Sequence, residues 1–460
     1  MEIILKIVQL LLSLSILVIV HELGHFLFAR LFRMRVDKFY LFSNLWFSIV
    51  RVKKINGKWR FSFFSSRPPE AWKEHPEHAE FGIGWLPIGG YCKIAGMVDE
   101  SMDKEQLRQP PQSWEFRSKP TWQRFFVLTG GVLFNLILAV FLYAGILYTW
   151  GESYLANEDA VYGIKTNELT RELGFQDGDK IIAFDSQPVA RFEELQITLI
   201  NQQAKTATVV RLGDTLTVHI DPQYLPATLN YPHLFTPVIP FVVKAVPDTS
   251  HNAHAGLQDG DHLVTVDGAA VLSIEDGQAL FEEKKQQLIH AGLQRGDSLI
   301  TVPLLVNNEG KAGIILKGIP DLFHITVKQY SLPASLPAGA AKGYHTVKSY
   351  LDQLQLIFSP KTEAYKSVGS VITIGKIFPG TWHWHAFWNI TAFLSIMLAV
   401  LNILPIPGLD GGHTLFVLYE MVTRRKPSDK VLEYTTGAGL IFLIGVMALA
   451  FGNDIFRLFK

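Results

Sequence analysis

Apolar positions along the 460-residue chain gather into four long runs, at about Ile3 to Phe32, Trp122 to Trp150, Ala386 to Leu404 and Leu432 to Phe451. A helix that crosses a bilayer needs about 20 consecutive apolar residues, so each run predicts a span. The second is bounded by tryptophans and Tyr148, the aromatics favoured at the two faces of a membrane. Elsewhere the pattern changes. Trp46 to Val52 and Lys58 to Phe64 read as short strands, and Asn56-Gly57 between them is a hairpin turn signal. Gly84 to Ile94 is apolar, aromatic and punctuated by glycine, and reads as a half-buried hairpin. Gly343 to Phe358 reads as a partly amphipathic helix near the membrane surface. The chain therefore divides into spans at 1–33, 121–150, 385–420 and 431–452, a β-rich membrane-associated segment at 34–120, soluble domains at 151–232 and 233–330, and a surface segment at 331–384.

The soluble stretch contains a near-repeat. Gly174-Phe175-Gln176-Asp177-Gly178-Asp179-Lys180-Ile181-Ile182-Ala183-Phe184-Asp185 is echoed by Gly256-Leu257-Gln258-Asp259-Gly260-Asp261-His262-Leu263-Val264-Thr265-Val266-Asp267-Gly268. Both describe a Gly-Asp turn that feeds a strand ending in an Asp turn, and both resemble the signature of PDZ domains. That resemblance implies tandem PDZ (α+β) domains, which bind extended peptide ends by adding a strand to a sheet edge. A pair of spacer modules with closed grooves is the alternative.

Composition adds little to this picture and charge adds orientation. At 48% apolar residues and mean hydropathy +0.19, the chain fits an α-helical membrane bundle with soluble domains, in contact with a lipid bilayer. Net charge is zero, so nothing points to nucleic acid as a partner. The single cysteine, Cys92, excludes an internal disulfide framework. Arg30, Arg33, Arg35 and Lys38 follow the first run, and Arg117, Lys119 and Arg124 surround the start of the second. By the positive-inside rule the segment between them is cytoplasmic and the N-terminus lies outside. Arg424-Arg425-Lys426 places the end of the third span inside, and the last span returns the C-terminus outside.

The chemistry begins where polar residues interrupt an apolar run. His21-Glu22-Leu23-Gly24-His25 lies within the first span, where a charged side chain costs roughly 2.5 to 3.5 kcal/mol on insertion scales. One helical turn separates the histidines, so they share a face and can occupy two corners of a tetrahedral zinc site. Glu22 is placed to take a proton from water, as in H-E-x-x-H metallopeptidases. The third span breaks at Asn402 to His413, which holds Pro405, Pro407, Gly408, Gly411 and Gly412. Irregular backbone at membrane depth is tolerated only where protein covers it or it lines a cavity. Asp410 in that break is the natural third ligand, with capping of the next helix as its alternative role. His21 lies about 18 residues, or roughly 27 Å of helix, from the outer end of its span, and Asp410 sits at a similar depth. His75 and His78, in a polar loop, read as solvated.

With these residues assembled, the chain resembles the site-2 protease family of intramembrane zinc metallopeptidases over nearly its whole length. The resemblance implies one Zn2+ held by His21, His25 and Asp410, with Glu22 as catalytic base. It implies that Asn402 holds the substrate, and that Gly89, Gly90, Tyr91, Cys92 and Lys93 form a membrane-associated β-hairpin element that pairs with an unwound substrate strand. It further implies a bacterial inner-membrane location with both termini and the PDZ pair in the periplasm. The substrate would be a single-span membrane protein, such as an anti-sigma factor already trimmed outside, with remnant signal peptides as a second class. Two departures stand out: Val132 and Ser370 occupy positions where relatives carry proline. In the second span, Gly130, Gly131 and Asn135 read as close helix packing, with Asn135 hydrogen-bonded across a helix interface or in contact with the site. Two rivals remain at this point, a catalytically idle scaffold and a metal transporter. The second would need more intramembrane carboxylates or histidines than the spans supply.

Overall fold

The computed structural model describes residues 2–87, 89–97, 110–228, 231, 233–357 and 369–458. It divides into two compact units, Met1–Gly151 with Gln329–Lys460, and Glu152–Lys328. Among the described residues, four helices of the first unit are long and apolar enough to cross a membrane. Labels below refer to that unit.

Helix α1, Glu2–Leu31, carries the first apolar run without a proline to break it. Two of its buried polar residues are tied to neighbouring segments. Gln9 donates to the Pro379 carbonyl at 2.9 Å, and Thr391 donates to Ser13 at 3.0 Å. In lipid such pairings replace the water that would otherwise satisfy these groups. Helix α2, Thr121–Thr149, crosses α1 so closely that a Cβ placed on Gly130 would stand 2.7 Å from the Gly24 carbonyl oxygen. It runs unbroken through Val132, the first of the two departures from the resemblance.

Helix α3, Leu332–Ile357, is longer than the expected Gly343 to Phe358 segment. It begins earlier, with Pro337 inside its second turn, and Phe358 lies outside the described residues. Its Val347, Tyr350 and Leu354 join Ala139, Tyr143 and Ile146 of α2 and Ala392, Ile396 and Val400 in one core. The last three belong to α5, Trp384–Ile403. Before it comes α4, Val371–Ile377. The chain then breaks at Leu404 to Leu409, with Gly408 at φ +96°, a conformation glycine adopts without a Cβ clash. Helix α6, Asp410–Thr423, starts at the aspartate. Helix α7, Asp429–Leu458, is the last. Asp454 of α7 is 2% exposed, and it accepts hydrogen bonds from the Ser370 N–H and hydroxyl at 2.9 and 2.6 Å. A proline at position 370 has no N–H to donate there, so the departure at Ser370 goes with a buried carboxylate that uses it. Val368, in the same motif, lies outside the described residues.

The segment between α1 and α2 is larger than the expected β-hairpin. Strands β1 (Val36–Leu41), β2 (Ser43–Ile55), β3 (Lys58–Ser65), β4 (Glu80–Leu86) and β5 (Tyr91–Ile94) form one sheet in the order β3-β2-β4-β1-β5. The Asn56-Gly57 turn joins β2 to β3 as its residues require, with φ +46° and +78°. Gly84 to Ile94 is not a hairpin. Its two arms, β4 and the edge strand β5, lie on opposite sides of β1, parallel and antiparallel to it. Ile88, between them, lies outside the described residues. The edge of β4 that a hairpin partner would need is already taken by β1, so the chain crosses over. A polar cluster fixes the layers: Tyr40 donates to Glu80, and Arg51 donates to the same carboxylate at 3.0 Å. Burial, with the Glu80 carboxylate as acceptor, pushes the Tyr40 phenol well above its ordinary range.

In the second unit the sequence repeat is a structural repeat. Strands Lys180–Phe184, Gln187–Pro188, Thr206–Arg211 and Asp214–His219 form one four-stranded sheet. Strands His262–Val266, Ala269–Ala270, Leu288–Arg295 and Ser298–Leu305 form a second with the same pairing, and each has a helix after its second strand. The repeated aspartates explain the motif. Arg211 donates to both oxygens of Asp179 at 2.7 and 2.8 Å, and Arg295 does so to Asp261 at 2.7 Å each. Each carboxylate also accepts a backbone N–H at 2.8 Å, from Gln176 and Gln258.

Candidate active site

His21 and His25 point from one face of α1 toward the start of α6. The Nε2 atoms stand 3.2 Å apart, and Asp410 Oδ2 lies 3.0 Å from the first and 3.3 Å from the second. Both histidines are buried. Three donor atoms at the corners of a triangle with these sides match a tetrahedral ion. Ligands about 2.0 to 2.1 Å from a zinc stand roughly 3.3 Å from one another.

The hydrogen-bond inventory points the same way. His25 Nδ1 lies 2.7 Å from the Val127 carbonyl, which can only accept, so Nδ1 carries the proton. The Nε2 of a neutral His25 then presents a lone pair toward His21 and Asp410. Asp410 Oδ2 is buried and has no partner of hydrogen-bond geometry among the described residues. Two ring nitrogens and a carboxylate oxygen turned toward one point form a donor set suited to a cation. Among the described residues these are the only three His, Cys, Asp or Glu side chains grouped to hold a metal. His75 and His78 instead face Glu77 at 3.2 and 3.6 Å.

Glu22 projects from α1 toward the Gly89 to Lys93 element and stands near the Cys92 backbone N–H. Its neighbours are the two histidines and Asp410, so all four candidates for the chemistry meet. The Gly89 to Lys93 element sits beside them. Gly90 packs so closely that a Cβ there would be 2.7 Å from Val18 and 3.5 Å from Glu22 Cγ. Gly89 has φ +65°. The Tyr91 ring stacks on Tyr40 with centroids 5.2 Å apart, and its hydroxyl donates to Asn44 at 3.2 Å. Cys92 packs into the core formed by α1, β1 and α2, and Lys93 is half-buried in the edge strand. Asn402 lies in the last turn of α5, half-buried, eight positions before Asp410.

Two features were not recoverable from residue identity. The Val127 carbonyl is backbone, and carries no side-chain signature. Gly131 reads as a packing residue, yet it faces the donor atoms: a Cβ there would be 2.5 Å from His21 Cε1 and 2.6 Å from His25 Nε2. The spacing of Val127, Gly131 and Asn135, one helical turn each, was the available signal.

A membrane protein whose apolar helices enclose two histidines, an aspartate and a glutamate in this way falls in the class of zinc metallopeptidases. The particular family follows from comparison with known proteins. Residues 9–66 and 58–446 match Peptidase family M50, and the chain belongs to this family, that of the site-2 proteases. Similar proteins include two named "Putative zinc metalloprotease", from Treponema pallidum and Vibrio cholerae, each 26% identical. The matches cover 97% of this chain in both cases, and 98% and 97% of those proteins. The "Regulator of sigma E protease" of Haemophilus influenzae is 24% identical over 97% of each chain. The cofactor implied by these relatives is Zn2+, and the cluster of His21, His25 and Asp410 is compatible with it.

Proposed function

We propose that the protein hydrolyses a peptide bond within or beside a transmembrane helix of a single-span membrane protein, with His21, His25 and Asp410 holding the zinc. The observation that carries this reading is the meeting of Asp410 Oδ2 with two imidazole nitrogens at 3.0 and 3.3 Å, inside apolar helices and next to Glu22. When bound, Zn2+ supplies a Lewis acid that lowers the pKa of a coordinated water from 15.7 to about 7 and polarises a carbonyl. Glu22 accepts the water proton as the oxygen attacks the scissile carbonyl carbon, and passes it to the leaving nitrogen. A helical substrate hides its carbonyls in its own hydrogen bonds and must unwind. The edge strand β5, with Gly89 and Gly90 before it, offers a strand to pair with, and Asn402 offers an amide to hold the unwound chain.

The two repeat modules are assigned to the PDZ fold and to the exclusion of substrates not yet trimmed outside the membrane. An anti-sigma factor is the substrate type favoured, in keeping with the name of the Haemophilus relative, and remnant signal peptides are a second class. The basic flanks of α1, α2 and α6 support a bacterial inner-membrane orientation with both termini and the repeat modules in the periplasm.

The test uses purified protein with a single-span substrate in trimmed and untrimmed form. Glu22→Gln is expected to keep one zinc per chain and to lose cleavage by about 10²- to 10⁴-fold, the contribution of a positioned general base. Removing residues 162–326 is expected to let the untrimmed form be cut. Cleavage by Glu22→Gln at the wild-type rate would point to another base, and no cleavage by the wild-type protein would return the scaffold to consideration.

A further inference from the structure

The histidines of a metal centre need partners on their far nitrogens, and α2 meets both of them. On His25 the Val127 carbonyl at 2.7 Å fixes the proton on Nδ1 and leaves Nε2 free to bind metal. Two turns further along the same face stands Asn135, fully buried, with Nδ2 3.2 Å from His21 Nδ1. Its backbone is also tied down, because Ser395 of α5 donates to the Asn135 carbonyl at 2.8 Å.

In this orientation the amide donates and His21 Nδ1 accepts. The imidazole must then carry its proton on Nε2, the nitrogen that faces Asp410 and His25. It also leaves Asn135 Oδ1 buried without a partner among the described residues. A half-turn of the side-chain amide gives that oxygen a partner and frees His21 Nε2 of its proton. Oδ1 then accepts from His21 Nδ1–H, and the Nε2 lone pair is released toward the site.

We infer that Asn135 is the positioning residue for His21: its Oδ1 accepts the Nδ1 proton and so selects the tautomer that presents Nε2 to the metal. This rests on the assignment of His21 as a ligand. A backbone carbonyl on one imidazole and a side-chain carbonyl on the other, with Gly131 between them leaving room for the rings, make α2 the template of the centre. Asn suits a site that exists both with and without metal, because one amide serves either tautomer. A carboxylate serves only the loaded one, and an apolar residue neither.

The experiment measures zinc affinity of the full-length protein by competition with a chromophoric chelator. Partners of this kind are worth 10- to 100-fold in metal affinity. Asn135→Leu, close in volume, is expected to bind zinc 10- to 100-fold more weakly, and Asn135→Asp, which keeps the acceptor, to stay within a few fold of wild type. Equal affinity in Asn135→Leu and wild type, while His21→Ala loses zinc, overturns the inference and leaves the ligand assignment standing. Full zinc retention by His21→Ala overturns the assignment itself. Should Asn135→Leu not fold, 15N-histidine-labelled wild-type protein loaded with zinc decides the matter. His21 is expected to show a protonated Nδ1, and a protonated Nε2 overturns the proposal.

Discussion

Buried carboxylates occur in both units of the molecule, and they are treated in opposite ways. Asp179 and Asp261 in the repeat modules are matched oxygen for oxygen by an arginine and a backbone N–H. Asp410, among the apolar helices, has an oxygen aimed at two imidazole nitrogens with no hydrogen-bond geometry to either. Burying a charge is costly unless it is paired, so a complete set of partners reads as architecture and an incomplete set as a place for something else. Asp454 shows that the rule is not about membranes. It too lies in an apolar helix, but its oxygens are satisfied by Ser370 and Thr373.

The comparison can be broken from either side. On the side of the incomplete set, Gly131→Ala would bring a methyl to 2.5 Å from His21 and 2.6 Å from His25. Displacements of about 1 Å in a catalytic constellation cost on the order of 10²-fold in rate. Cleavage by Gly131→Ala is expected to fall by about that factor while the repeat modules stay folded, which a peptidase assay and limited proteolysis would report together. Wild-type cleavage would mean that α2 does not constrain the ligands.

On the side of the complete sets, Asp261→Ala strands the Arg295 guanidinium. The variant loses the two hydrogen bonds from Arg295 and the one from the Gln258 N–H. Hydrogen exchange over residues 262–305 should rise accordingly, while zinc content stays unchanged. The same pair gives a smaller, pH-dependent effect. The Arg295 hydrogen bonds hold the Asp261 carboxyl below its usual range. Its contribution is therefore whole above the unfolded value of about 3.9 and is lost as pH falls further. Exchange protection in this module should decline below about pH 4 in wild type, and less steeply in Asp261→Ala.

Most of the site was legible because titratable residues are scarce at membrane depth. His21, Glu22, His25 and Asp410 stand out against apolar runs, and the proline and glycine break before Asp410 marks where helix ends. The repeat in the second unit was equally plain, since a turn glycine and a bonded aspartate recur in the same order. What was misread depended on partners that local sequence cannot name. The apolar, glycine-punctuated run from Gly84 to Ile94 reads as a hairpin, but only the folded sheet shows that β1 lies between its two arms. Asn135 announced an interhelical hydrogen bond, though not that its partner would be His21. The Val127 carbonyl was invisible for a simpler reason: every residue has one.

The claim on which the rest depends is that His21, His25 and Asp410 share one zinc. Zinc content of purified Asp410→Asn beside wild type, after passage over a chelating resin, tests it most directly. The account predicts about one zinc per chain in wild type and a content well below that in the variant, with fold intact by hydrogen exchange in the repeat modules. Equal zinc in the two proteins would contradict it.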